Sequence, residues 1–157
     1  MKTMKKYTLA VFSLLFISPQ SYAEYAVSDS FTFKDHKLSL IQNQRNCQLE
    51  VSSSGQKKVH HLALTGPCYF LRNGGSSPRR YGYPDVNAEA VFIILGNPVS
   101  ADEREIWNLP SGEQCGTQGQ GLVFDGVQFR ISQKTLNRTL LCKEKGSDEK
   151  NYRFLNH

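Results

Sequence analysis

The chain has 157 residues, of which 39% are hydrophobic and 21% charged, and its formal net charge is +5. Residues 24–157 hold 16 of the 19 basic residues and all 14 acidic ones, so this part carries a net charge of only +2. That balance does not favour binding to polyanions, and we expect no nucleic-acid partner.

The first 23 residues have the pattern of a secretory signal peptide. Three lysines give a positive start, and residues 8–17 form an apolar run. This run is too short to cross a bilayer as a helix, which needs about 20 apolar residues. The small residues of Ser21-Tyr22-Ala23 predict cleavage after Ala23, with an uncleaved membrane anchor as the alternative. We therefore expect residues 24–157 to form a single periplasmic or secreted domain, without a membrane segment once the signal is removed.

Four cysteines lie in the predicted mature chain, and an even number in an exported chain predicts two disulfides. Of the three possible connectivities, the favoured one pairs Cys47 with Cys68 and Cys115 with Cys142. In this pairing each bridge brackets a compact segment that has its own hairpin pattern. A zinc site is disfavoured because the chain has no Cys-x-x-Cys pair and its only paired histidines, His60 and His61, are adjacent. We predict no metal and no other cofactor.

The first half of the mature chain has the pattern of strands separated by turns. Its start is polar apart from Phe31 and Phe33, which predict an edge strand or an irregular lead-in. Residues 46–51 alternate between apolar and polar side chains, and residues 59–64 follow a Ser/Gly turn, so both predict strands. Gly66-Pro67 ends the second of these strands.

Two further short strands, at residues 68–72 and 81–83, are predicted on either side of a polar tip. The tip, residues 73–78, has the sequence NGGSSP, which favours turns over extended backbone. Residues 88–95, AEAVFIIL, are the most apolar run of the mature chain. Their length and branched side chains predict a central strand that is buried on both faces.

The clearest predicted helix covers residues 100–107. Ser100 and Glu103 have the spacing of a capping box. Ile106 and Trp107 are expected to pack the end of this helix against the core.

The glycine-rich sequence GTQGQG at residues 116–121 predicts a flexible loop. Asp125-Gly126 then predicts a two-residue hairpin turn. Such a turn places two pairs opposite each other on the core face, Phe124 with Val127 and Leu122 with Phe129.

The end of the chain is less regular. Residues 135–142 are compatible with a strand or a short helix. Ser147 is expected to cap a final helical turn, with three apolar residues docking on the domain, Tyr152, Phe154 and Leu155. Six or seven strands with one or two short helices and two disulfides predict a β-rich α+β fold, arranged as a single antiparallel sheet or a small sandwich or barrel.

No catalytic motif is complete in this sequence. Ser54 and Ser147 each precede a lysine at the Ser-x-x-Lys spacing, but the other elements of penicillin-recognising enzymes are absent. A histidine base or a carboxylate pair cannot be assigned from the four histidines and the scattered acids. We therefore predict no catalytic residues, with a small envelope hydrolase that uses unassigned carboxylates as an alternative.

Residues 66–85 contain the best candidate for a binding site. This stretch combines planar guanidinium groups with aromatic rings, a composition typical of binding hot spots. The candidate binding residues are Arg72, Arg79, Arg80, Tyr81 and Tyr83. A solvated hairpin tip is the other interpretation of the same stretch. The leading hypothesis is a small exported binding protein, such as an inhibitor or immunity-type partner of another envelope or secreted protein. A structural component of the envelope is a further alternative.

Overall fold

The computed structural model describes residues 25–157, and the predicted signal peptide with its cleavage after Ala23 lies outside this range. The described chain has nine strands, which are β1 (Ala26–Phe33), β2 (His36–Asn43), β3 (Asn46–Ser53), β4 (Gln56–Thr65), β5 (Tyr69–Phe70), β6 (Tyr81–Tyr83), β7 (Ala88–Pro98), β8 (Cys115–Phe124) and β9 (Phe129–Cys142). Its helices are α1 (Ala101–Ile106) and α2 (Glu149–Phe154), and a 3₁₀ turn spans Pro84–Val86. Neither helix is long and apolar enough to cross a membrane.

The strands form two antiparallel sheets. The first has the order β1-β2-β3-β4, and the second has the order β5-β7-β8-β9 with β6 also paired to β7. The prediction of a β-rich fold with short helices is confirmed. The predicted single sheet or barrel is not, because the described chain forms two sheets and neither is closed.

Strand β7 is the centre of the fold, as its apolar sequence predicts. Phe92 and Ile94 join the core that the two sheets share. Val91 and Ile93 face the opposite way, into a second core that the segment after β5 and helix α2 cover. All four are at most 1% exposed. The run is apolar on both faces because both faces of this strand are covered.

Both predicted disulfides are present, and the described chain has no free cysteine. Cys47 and Cys68 connect β3 of the first sheet to the residue that precedes β5 of the second. Cys115 and Cys142 lie opposite each other on β8 and β9. One bridge therefore joins the two sheets, and the other closes the end of a strand pair.

The glycine-rich segment at residues 116–121 is part of strand β8, so the prediction of a flexible loop is wrong. The glycines allow close packing. A Cβ atom at Gly116 would overlap the backbone of Gly96, and one at Gly121 would lie 2.5 Å from the carbonyl oxygen of Leu155. This strand has its glycines where other backbone segments approach it.

The hairpin after β8 has a longer loop than predicted. Phe124 pairs with Phe129 and Leu122 with Ile131, so the predicted partners are wrong. The Asp125 carboxylate accepts the backbone N–H groups of Val127 and Gln128 at 2.9 and 2.8 Å. These bonds stabilise a four-residue connection, and they leave Val127 83% exposed rather than in the core.

Helix α1 has the predicted capping box between Ser100 and Glu103. The predicted packing of its end is wrong, because Ile106 and Trp107 are 76% and 41% exposed. The capping box specifies where the helix begins, and it carries no information about which face is covered.

Helix α2 begins one residue later than predicted, with Asp148 rather than Ser147 as its N-cap. Tyr152 and Leu155 dock in the second core as expected, whereas Phe154 is 46% exposed. The ambiguous residues 135–142 are the second half of strand β9.

Candidate functional site

The candidate site is the connection between β5 and β6, residues 71–80, together with the aromatic residues that follow it. Arg72 begins this connection, but its side chain is directed inward and is only 8% exposed. Its two terminal nitrogens donate to the Asp29 carboxylate at 2.6 and 2.9 Å. One of them also donates to the carbonyl of Phe70 at 3.0 Å. Arg72 is therefore an internal group of the fold, and its guanidinium is not available at the surface.

The carboxylate of Asp29 completes a small buried network. It accepts the backbone N–H of Phe70 at 3.0 Å, and Lys143 Nζ lies 3.6 Å from it. Asp29 is itself 8% exposed at its side chain. A buried charge is costly unless it is paired and hydrogen-bonded, and here both conditions are met.

The same network fixes the backbone conformation of the polar tip, residues 73–78. Arg72 Nε donates to the carbonyl of Ser76 at 3.2 Å. At the far side of the tip, the N–H of Arg79 donates to the carbonyl of Leu71 at 3.0 Å. Arg72 N–H also bonds to the carbonyl of Lys143. The tip is therefore held at both of its ends by groups in the protein interior.

Arg79 and Tyr81 form a stacked pair on the outside of the second core. The guanidinium of Arg79 lies 4.9 Å from the Tyr81 ring centroid and donates to the Tyr81 hydroxyl at 2.8 Å. This hydrogen bond raises the pKa of Arg79 further above its usual range. Tyr81 in turn packs edge-on against the buried Tyr152, with ring centroids 4.8 Å apart. Tyr81 thus links an exposed arginine to the core.

Arg80 lies on the other side of the tip, with its guanidinium 5.0 Å from the ring of Phe33. Arg79 and Arg80 are both exposed. Within residues 25–157, neither of them has a carboxylate within ion-pair distance. Aromatic rings position both guanidinium groups, and no carboxylate of the described chain neutralises their charges.

Tyr83 is 4% exposed, and its hydroxyl donates to the backbone carbonyl of Glu149 at 3.1 Å. Burial raises the pKa of Tyr83 above its ordinary value. This residue ties helix α2 to strand β6. Of the five predicted binding residues, the structure therefore leaves Arg79, Arg80 and part of Tyr81 accessible.

A shallow depression of about 300 Å³ lies beside Arg79. Its lining is mostly polar and includes Asn73, Lys145 and Ser147. The exposed arginines therefore border a surface that can accept hydrogen-bonding groups from a partner.

The sequence analysis did not identify Asp29, whose carboxylate holds the guanidinium of Arg72 in the interior. A signal for it exists, because Asp29 has the same two-residue spacing as Phe31 and Phe33 and so shares their face in strand β1. An acid in phase with two aromatic residues that pack against the core indicates a buried ion pair.

Four acids of the described chain that could be considered for hydrolysis have structural partners. Asp85 pairs with Arg153 at 2.7 Å, and Glu89 pairs with Lys34 at 2.5 Å. Glu103 completes the capping box of α1, and Asp125 holds the hairpin loop. Backbone hydrogen bonds lower the pKa values of both Glu103 and Asp125, and the side-chain hydrogen bond from Ser100 lowers that of Glu103 further. These four carboxylates stabilise local structure, and their surroundings provide no argument for acid–base chemistry.

Comparison of this chain with protein-family models, with curated proteins and with solved structures finds no match.

Proposed function

We propose that this chain is an exported binding protein that recognises an acidic surface of a protein partner through Arg79 and Arg80. The observation that carries this proposal is the presence of two exposed, unpaired guanidinium groups on a loop whose ends are held in place. Guanidinium forks bind carboxylates bidentately, and arginines are enriched among the residues that dominate binding energy.

The fixed geometry of the loop supports this function. A loop that is ordered before binding loses less conformational entropy when the complex forms. The bond from Arg72 to Ser76, the bond from Arg79 to Leu71 and the stack of Arg79 on Tyr81 all provide that order. Two disulfides are typical of an oxidising compartment, which supports a periplasmic or secreted location. An inhibitor or an immunity-type partner of another exported protein is the form of binding protein we favour.

The test removes the two charges and leaves the aromatic support in place. The variant is Arg79→Gln with Arg80→Gln, and Tyr81 is kept because its contact with Tyr152 belongs to the core. Partners are captured from an extract of the cells that produce the protein and quantified by mass spectrometry. The charge-matched control is Arg45→Gln with Arg138→Gln, which removes two exposed cations elsewhere.

We expect the loop variant to lose its specific partner while its melting temperature stays unchanged, since exposed substitutions usually change stability by less than about 0.5 kcal/mol. The control should retain the partner. Undiminished capture by the loop variant would overturn the proposal. Equal loss in both variants would show a general charge effect and would also contradict a specific site.

A further inference from the structure

A second cavity borders the core that the two sheets share. Its volume is about 270 Å³. One side is formed by His36 of β2 and by Lys58 and His60 of β4, and the other by Val127 and Phe129 of the β8–β9 hairpin. The cavity therefore opens between the two sheets, and none of residues 71–80 is part of its lining.

The strand register places charged residues on the core side at this point. Lys58 lies opposite Val51, and His60 lies opposite Leu49. Directly paired residues of antiparallel strands share a face, so Lys58 and His60 face the same way as the buried Val51 and Leu49. Further along β4 the inward positions are leucines. The inner face of β4 thus changes from apolar to polar where it borders the cavity.

Two histidines of this cavity have buried nitrogens without a hydrogen-bond partner in the described chain. They are Nδ1 of His36 and Nε2 of His60. Most buried polar atoms in folded proteins are hydrogen-bonded, and an unpaired one costs free energy. Burial and then the charge of Lys58 lower the pKa of His60 below its ordinary value of 6.5. Both effects favour the neutral form of His60.

The charges around the cavity have one sign. Lys57 and Lys58 both line it, and none of the described residues that line it is acidic. Lys57 is neutralised by Glu50, at 3.0 Å, whereas Lys58 has no carboxylate within ion-pair distance in residues 25–157. Lys58 is exposed to solvent, so its ammonium is an accessible positive charge next to the apolar side chains of Val51 and Phe129.

We propose that this cavity binds a small organic carboxylate, with the carboxylate at Lys58 and the apolar part of the ligand against Val51 and Phe129. The unpaired ammonium provides the charge, and the apolar wall distinguishes such a ligand from an inorganic anion. A volume of about 270 Å³ lies at the lower end of small-molecule sites, so the bound group is small. A free organic acid and the carboxyl end of a peptide share this chemistry.

The experiment uses benzoate as the probe and follows the ring resonances of His36 and His60 by NMR. Benzoate should shift both histidines saturably and raise the pKa of His60, because an anion offsets the field of Lys58. Benzamide has the same shape without the charge, and inorganic phosphate has charge without the apolar ring. Both should bind at least about tenfold more weakly.

Variants of Lys58 distinguish binding at a specific site from nonspecific electrostatic attraction. Lys58→Gln should weaken benzoate binding by about tenfold or more, as expected when a hydrogen bond to a charged group is lost. Lys58→Arg keeps the charge and should keep binding. Lys150→Gln, which removes an exposed charge on α2, is the matched control and should bind like the native chain.

Absence of saturable shifts, equal binding of benzamide or phosphate, or equal effects of Lys58→Gln and Lys150→Gln would each overturn the proposal. A short peptide that ends in phenylalanine, compared with its C-terminal amide, distinguishes the two sources. If the free peptide binds tighter than benzoate and its amide does not bind, the natural ligand is a chain end. If benzoate binds and the peptide does not, the natural ligand is a free organic acid.

Discussion

The buried pair of Arg72 and Asp29 offers the most direct test of how the candidate site is built. Replacing Arg72 with Met keeps most of the side-chain volume and leaves the Asp29 carboxylate buried without its bidentate partner. Removing one member of a buried ion pair costs about 3–5 kcal/mol. Lys143 Nζ remains 3.6 Å from the carboxylate, so we expect a cost near the lower limit, about 3 kcal/mol.

Removing the carboxylate of Asp29 should lower the free energy of unfolding by more than removing the guanidinium of Arg72. Asp29→Asn retains an acceptor for the N–H of Phe70, but it leaves the cations of Arg72 and Lys143 without a counter-charge. We expect about 4–5 kcal/mol for this variant. In the double variant no buried guanidinium or carboxylate remains, so its cost should be at least about 2 kcal/mol smaller than the sum of the single costs.

Urea denaturation at neutral pH measures all three variants, with the slope of the transition checked for two-state behaviour. The single changes correspond to a decrease in melting temperature on the order of 10 °C. Arg153→Met is the matched control, because its pair with Asp85 is exposed, with side-chain exposures of 57% and 55%, and should matter little. A cost below about 1 kcal/mol for Arg72→Met, or strictly additive effects, would refute the buried network and return Arg72 to the list of accessible binding residues.

Four further outcomes are expected. Ile93→Ala should lower the free energy of unfolding by about 2–5 kcal/mol, because Ile93 is fully buried, and an unchanged denaturation midpoint would contradict this placement. Gly121→Ala should cost about 1–3 kcal/mol through overlap with the Leu155 carbonyl, whereas Gly75→Ala, which meets nothing within 4 Å, should be near neutral in the same assay. Because the pKa of His60 is lowered in the folded chain, the unfolded chain binds more protons just below pH 6.5, so stability should decrease as pH is lowered from 6.5 toward the folded pKa. His60→Gln should reduce this dependence between pH 7.5 and pH 5.5, and identical pH profiles would argue against it. Alkylation without reductant should add no mass to the purified protein, and any labelled thiol would contradict the two disulfides.

Features of the fold that depend on neighbouring residues were predictable from the sequence. The capping box of α1 needs only Ser100 and Glu103, and both bonds form. The run at residues 88–95 is buried on both faces because its composition leaves no polar face to expose. The cysteine pairs were predicted from the even number of cysteines and their order along the chain, although their separations are 21 and 27 residues. In the first two cases the cause lies within a few residues of the effect.

The wrong predictions share a different physical origin. Gly116 and Gly121 suggest flexibility when considered alone, but their role is to admit the backbone of Gly96 and of Leu155, which lie far away in the chain. Strand β2 was not predicted, and its place in the sheet is defined by its pairing with β1 and β3. The inward direction of Arg72 similarly depends on Asp29, 43 residues earlier in the sequence. Such effects arise from packing between distant segments, which local patterns do not contain.

Arg72 and His60 are both polar residues whose side chains face inward in the described chain, and the comparison between them bears on function. At Arg72 the exception is fully compensated, because Asp29, Phe70 and Ser76 all bond to the guanidinium. At His60 it is not, because the buried Nε2 has no hydrogen-bond partner within the described chain, whereas the neighbouring Lys58 is exposed to solvent. Departures from local rules that are not compensated within a protein tend to mark functional sites. The first exception is therefore explained by the fold alone, whereas the second supports the ligand site proposed for this cavity.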